Sequence, residues 1–276
     1  MKKLFLLLAF LLAGFNEAFI NPSFSKSISG DTIKPLTKVD KEFLIVAHIV
    51  KDQEGNAGIT PFEISSVLAQ VNTLFTPIGM SFTLCQTDYI DNFQYDSLNG
   101  IGPSVQNLKV DYMKEVAAQY NIERRINMYF MSEFINAYKP YCGFAGDYIV
   151  IKKGCNTQIV VAHEFGHYFG LLHTFAGNGT ELADGSNCND AGDKVCDTPA
   201  DPFNESSPDS YYDKSSCQFI YRGRDANNQF YSPDLGNIMS YYTSCVCPKF
   251  SHGQLEKMAR YYNKLIINTP EEYLPW

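Results

Sequence analysis

The sequence predicts an α+β protein with a mixed, twisted sheet and helices in a first lobe, followed by an irregular lobe tied by disulfides. Three observations predict it. Apolar, β-branched runs alternate with amphipathic helical segments as far as residue 151. After residue 173 the composition shifts to Gly, Asn, Asp, Ser and Pro, with little periodicity up to residue 237. The chain also carries eight cysteines and begins with an export-type segment.

Residues 1–18 read as a signal peptide: Lys2 and Lys3 supply the positive start, Leu4 to Leu12 the apolar run, and Ala13, Gly14 and Ala18 the small residues. That run is about ten residues, short of the roughly 20 that cross a bilayer, which argues against a membrane anchor. Residues 19–40 are polar and read as a linker or short pro-segment, leaving 41–276 as the main domain, with lobes at 41–173 and 174–276. FLIVAHIV, residues 43–50, predicts a buried strand. Thr60, Pro61 and Glu63 form a helix start, and Ile64, Val67, Leu68, Val71 and Phe75 share one face of that helix. A strand is expected at 80–85, a helix at 104–120, and strands at 126–131 and 147–151. The next helix starts near Thr157, and a last one spans 251–267, with Leu255, Met258, Ala259, Tyr262 and Leu265 on one face.

The formal charge of −8 comes without a basic stripe, which excludes nucleic acid and anionic membranes as natural partners. In an exported chain the cysteines read as disulfides, and none recurs at zinc-ribbon spacing. Cys142 and Cys155 bracket a short strand and are expected to pair. The long segment after residue 173 needs tethers, either disulfides through Cys188, Cys196 and Cys217 or a bound cation. His48 and His252 read as structural, and Asn178-Gly-Thr180 and Asn204-Glu-Ser206 match the glycosylation sequon.

The chemistry concentrates in HEFGHYFGLLH, residues 163–173. His163 and His167 are four apart, so on a helix both imidazoles leave one face. Glu164 lies about 100° round that helix, within reach of a metal-bound water without being a ligand. A continuing helix would carry His173 about 15 Å along the axis from His163, too far to share an ion that holds nitrogen at roughly 2.0–2.1 Å. The helix must therefore end, and Gly170 stands where a left-handed residue is needed. Three neutral imidazoles leave zinc an open position for water, whose pKa falls toward about 7 while the substrate carbonyl is polarised. Glu164 then serves as general base. The rival reading is a zinc-retaining binding or adhesion protein without turnover.

This motif, followed by NIMSYY at 237–242, resembles the metzincin metallopeptidases and their methionine turn. Within them HTFAG (173–177), ELADGSNC (181–188), AGDKVCDTPADP (191–202) and FSHGQLEKM (250–258) are similar to the pappalysin family, in particular its bacterial, cytophagalysin-like members. The resemblance covers about residues 42–268. It implies a two-lobed zincin fold with a cleft between the lobes, a sheet edge that aligns extended substrate, and secreted endopeptidase activity on proteins or peptides. It implies Met239 as a hydrophobic floor beneath the zinc ligands and Tyr241 as an oxyanion stabiliser. It also implies calcium at Asp193, Thr198 and the Val195 carbonyl, with Asp184 and Asp190 as further oxygen donors nearby. By the same analogy Cys188 pairs with Cys217 and Cys196 with Cys245. A monomer, released from the cell or held in a periplasm, is the expected form.

Overall fold

The strand read at 43–50 is the spine of a five-stranded sheet in the computed structural model, which describes residues 34–99, 112–136, 139–140, 142–242, 247–269, 274 and 276. The strands are β1 (Lys41–Val50), β2 (Met80–Ile90), β3 (Ser97–Asn99), β4 (Ile126–Met131), β5 (Glu133–Asn136), β6 (Lys139–Pro140), β7 (Gly143–Ala145), β8 (Ile149–Lys152), β9 (Tyr212–Asp213) and β10 (Gln218–Phe219). The main sheet runs β2-β1-β4-β8-β7. Its first three pairings are parallel, and β7 joins antiparallel at the edge. A small sheet β3-β5-β6 and the hairpin β9-β10 complete the strands. β1 is buried on both faces, as a parallel central strand covered by helices should be.

The helices are α1 (Pro61–Phe75), α2 (Tyr112–Tyr120), α3 (Gln158–Tyr168) and α4 (His252–Asn268). α1 starts at a capping box between Thr60 and Glu63 and buries Ile64, Val67, Leu68, Val71 and Phe75. Residues 100–111 of the helix expected at 104–120 lie outside the described residues, and α2 covers the rest. One apolar cluster joins α1, the sheet, α3 and α4: Ile45, Phe75, Phe82, Phe165, Phe169, Met239 and Met258 all belong to it. A second, with Tyr129, Phe134 and Val150, lies under α2.

These elements fall in one compact unit, Leu36–Trp276. It begins before residue 41 because Thr37 donates from its backbone N–H and its hydroxyl to the Glu256 carboxylate on α4, at 2.8 and 2.9 Å. No helix among the described residues is long and apolar enough to cross a membrane.

Disulfides join Cys142 to Cys155 and Cys188 to Cys196. The second corrects the pairings of Cys188 with Cys217 and of Cys196 with Cys245. Consecutive turns, closed by Cys188 N–H to Gly185 O, Ala191 N–H to Asn187 O and Lys194 N–H to Ala191 O, fold the chain back on itself. Gly192 and Lys194 adopt left-handed φ, and Cys196 returns to within 5.0 Å of Cys188, Cα to Cα. Cys217 is also disulfide-bonded, and Cys245 lies outside the described residues.

Candidate metal centre

α3 is capped by Thr157, whose hydroxyl accepts the Val160 N–H. Val161, Ala162 and Phe165 face the core, which turns His163 and His167 toward the opposite side. The helix stops at Tyr168. Gly170 follows at φ +85°, and its N–H and that of Leu171 bond back to the His167 and Gly166 carbonyls, each at 2.9 Å. This reversal brings His173 beside the helical pair. The three Nε2 atoms form a triangle with edges of 3.0, 3.1 and 3.1 Å.

Protonation settles what that triangle means. His163 donates from Nδ1 to the Ile238 carbonyl at 2.7 Å, and His167 from Nδ1 to the Leu171 carbonyl at 2.9 Å. With Nδ1 carrying the hydrogen, Nε2 of each ring presents a lone pair, and lone pairs cannot hydrogen-bond one another. Burial lowers all three imidazoles, His163 to about 3 and His173 to about 2, with mutual repulsion adding to both. Three neutral nitrogens converging on one point, from buried His163 and half-buried His167 and His173, fit a cation at tetrahedral zinc distances.

Glu164 lies beside them, 5% exposed. Burial pushes its carboxyl up to about 8. The Tyr241 hydroxyl stands 3.2 Å from His173 Nε2, and the ring is 40% exposed. Phe175 stacks on His173 and Phe203 leans on Tyr241. A cleft of about 330 Å³ opens over the triad, lined by Gly143, Phe144 and Ala145 of the edge strand, and by Phe134, Tyr241 and Glu205.

Met239 is fully buried beneath α3. A Cβ on Gly166 would stand 2.5 Å from the Met239 sulfur, so the close approach depends on glycine at that helical position. The turn holding Met239 is rigid: its N–H donates to Asn237 Oδ1 and its carbonyl accepts from Thr174 N–H. Asn237 and Gln254 exchange two buried side-chain hydrogen bonds, which fix the turn to α4.

In the loop after His173, Asp193 Oδ1 accepts from the Val195 N–H, and the single hydrogen of the Thr198 hydroxyl lies within reach of both Asp193 Oδ1 and the Val195 carbonyl. Among the described residues, the buried Asp193 Oδ2 and Glu181 Oε2 have no hydrogen-bond partner. Burial raises Glu181 to about 7, with Asp193 and Asp201 adding repulsion, and raises Asp193 to about 6. Asp184 and Asp190 are instead solvent-exposed. Glu181, Gly143 and Gly166 escape a reading of the sequence because nothing local marks them. The acid stands in a loop of many acids, and the glycines matter through residues distant in the chain.

The fold and site define a metallopeptidase of the metzincin type. A family model described as pregnancy-associated plasma protein-A, peptidase family M43, matches residues 112–263, and the chain belongs to that family, the pappalysins. An extracellular metalloprotease of Colletotrichum graminicola is 28% identical over 244 residues, 79% of this chain and 74% of that protein. Its counterpart in Sordaria macrospora is 26% identical over 245 residues, 80% and 74% of the two chains. Mature mirolysin of Tannerella forsythia, solved with a cleaved peptide, shares the fold at a TM-score of 0.51 and 14% identity, over 85% of this chain and 99% of that one. The chain is therefore a metalloendopeptidase, with proteins or peptides as its substrates.

Proposed function

We propose that this is a secreted zinc endopeptidase in which His163, His167 and His173 hold the metal and Glu164 is the general base. The observation that carries it is the triangle of three Nε2 atoms with a buried carboxyl group alongside. Zinc bound there supplies Lewis acidity, polarising the scissile carbonyl and acidifying water. Glu164 accepts the attacking water's proton on its carboxylate and delivers it to the leaving amine nitrogen. The Tyr241 phenol donates to the oxyanion that develops on the carbonyl. The open edge of β7 offers backbone groups that align an extended substrate as an added strand. Residues 1–18 read as an export signal, and relatives named extracellular, support secretion.

We further assign Asp193, Thr198 and the Val195 carbonyl to a calcium ion, and add Glu181. The two partnerless buried carboxylate oxygens support this, since buried charge is costly unless a cation or donor meets it.

Glu164→Ala tests the central reading. With zinc at one equivalent in both proteins, the variant should cleave a mixed peptide library about 10²–10⁴-fold more slowly than wild type. If zinc is present and neither protein cleaves anything, the chain is a metal-holding binding protein.

A further inference from the structure

The edge strand presses against α3 at one point. A Cβ built on Gly143 would lie 2.6 Å from Glu164 Cδ and Cγ, and closer still to Oε1, far inside the roughly 3.5–4.0 Å at which non-bonded atoms rest. Backbone conformation does not demand glycine here, because Gly143 lacks the left-handed φ found at Gly170. Space demands it.

The position of Gly143 is held from two sides. It pairs with Ile151 in the β7-β8 ladder, and the Lys152 N–H bonds to the Cys142 carbonyl at 2.9 Å. Cys142 is linked covalently to Cys155, two residues before the cap of α3. The helix is equally fixed, through its Thr157 cap and the His163 bond to Ile238. Between two rigid backbones, the movable part is the Glu164 side chain.

We propose that Gly143 is a positioning residue for Glu164: its bare Cα is the wall that sets the carboxylate beside the histidine triad, and the Cys142–Cys155 disulfide keeps that wall in register. This rests on the peptidase reading above. A methyl group at position 143 would meet the Glu164 side chain first, since the three atoms nearest to it all belong to Glu164 and none to a histidine of the triad.

The test is a cycle of wild type, Gly143→Ala, Glu164→Asp and the double variant, each zinc-loaded, with kcat and KM measured on a peptide that wild type cleaves. Gly143→Ala should lower kcat about 100-fold, the scale of a misplaced general base, with KM within about threefold and zinc still at one equivalent. In the Glu164→Asp background, where the acid is one methylene shorter, the same alanine should cost less than about fivefold, a non-additivity expected only of residues in contact. A kcat within about twofold of wild type, or equal losses in both backgrounds, would overturn the proposal.

Thermal stability supplies a readout independent of turnover. If the methyl crowds Glu164, any destabilisation by Gly143→Ala should vanish in Gly143→Ala/Glu164→Ala. A loss unchanged by removing Glu164 would place the crowding elsewhere and defeat the idea. Should wild type cleave nothing, the peptidase reading fails, and this stability cycle still judges the contact.

Discussion

His163 and His167 each give their Nδ1 hydrogen to a main-chain carbonyl, Ile238 and Leu171. The orientation of these proposed ligands is thus built into backbone rather than left to other side chains. Such acceptors cannot be lost by point mutation, only by moving the segment that carries them. For His163 that segment is the turn containing Met239, which makes the packing under α3 a determinant of ligand geometry. Gly166→Ala would drive a methyl into the Met239 sulfur, and Phe250 leaves little room on the other side, at 3.4 Å. A cost of about 1–3 kcal/mol is expected from such overpacking. Denaturant unfolding of the zinc-loaded protein measures it; an unchanged midpoint would mean that the methionine has space to retreat.

Among the elements, α4 is the strut of the second half. Its Gln254 holds the methionine turn, its Lys257 ammonium donates to the Asp193 carbonyl at 2.7 Å, and Asp197 accepts from the Ser251 hydroxyl and the Gly253 N–H at its start. The irregular segment after His173, whose described strands are only the short hairpin β9-β10, is ordered largely by such long-range bonds and by the Cys188–Cys196 link. That link closes a short loop around Asp193, Val195 and the approach to Thr198. By chain entropy a closure of eight residues is worth about 2–3 kcal/mol. Cys188→Ser with Cys196→Ser should lower the melting temperature accordingly, and the loss should grow in calcium-free buffer if the loop is a calcium site. An equal loss with and without calcium would uncouple the disulfide from the ion.

For the whole molecule the paired carboxyls of Glu181 and Asp193 set a pH dependence. Burial holds their carboxyls up at about 7 and about 6, above their ordinary values of 4.5 and 3.8. The unfolded chain releases these protons first, so the folded state binds more protons and stability falls as pH rises from about 4 through about 7. A calcium ion would offset that penalty by meeting the ionised forms. Removal of calcium with EGTA, zinc being kept saturating, should therefore lower the melting temperature more at pH 8 than at pH 5. No shift at pH 8 would remove calcium from the account.

The sequence by itself determined the α+β class, the central strands and the helix starts at Thr60, Thr157 and Ser251. It also determined the metal motif, down to the need for a break at Gly170, because periodicity, capping and ligand spacing act over a few residues. The family followed from the same local signals. Tertiary structure alone decided the Cys188–Cys196 pairing, which depends on how successive turns in the loop close. It decided as well that Glu181 shares a buried site with Asp193, while Asp184 and Asp190 stay in solvent. The edge strand β7 and its glycine belong here too: three residues carry no readable period, and the fit of Gly143 against Glu164 exists only once helix and sheet are packed. Contacts between residues far apart in sequence have no local signature, so the arrangement around the motif could be read only from the fold.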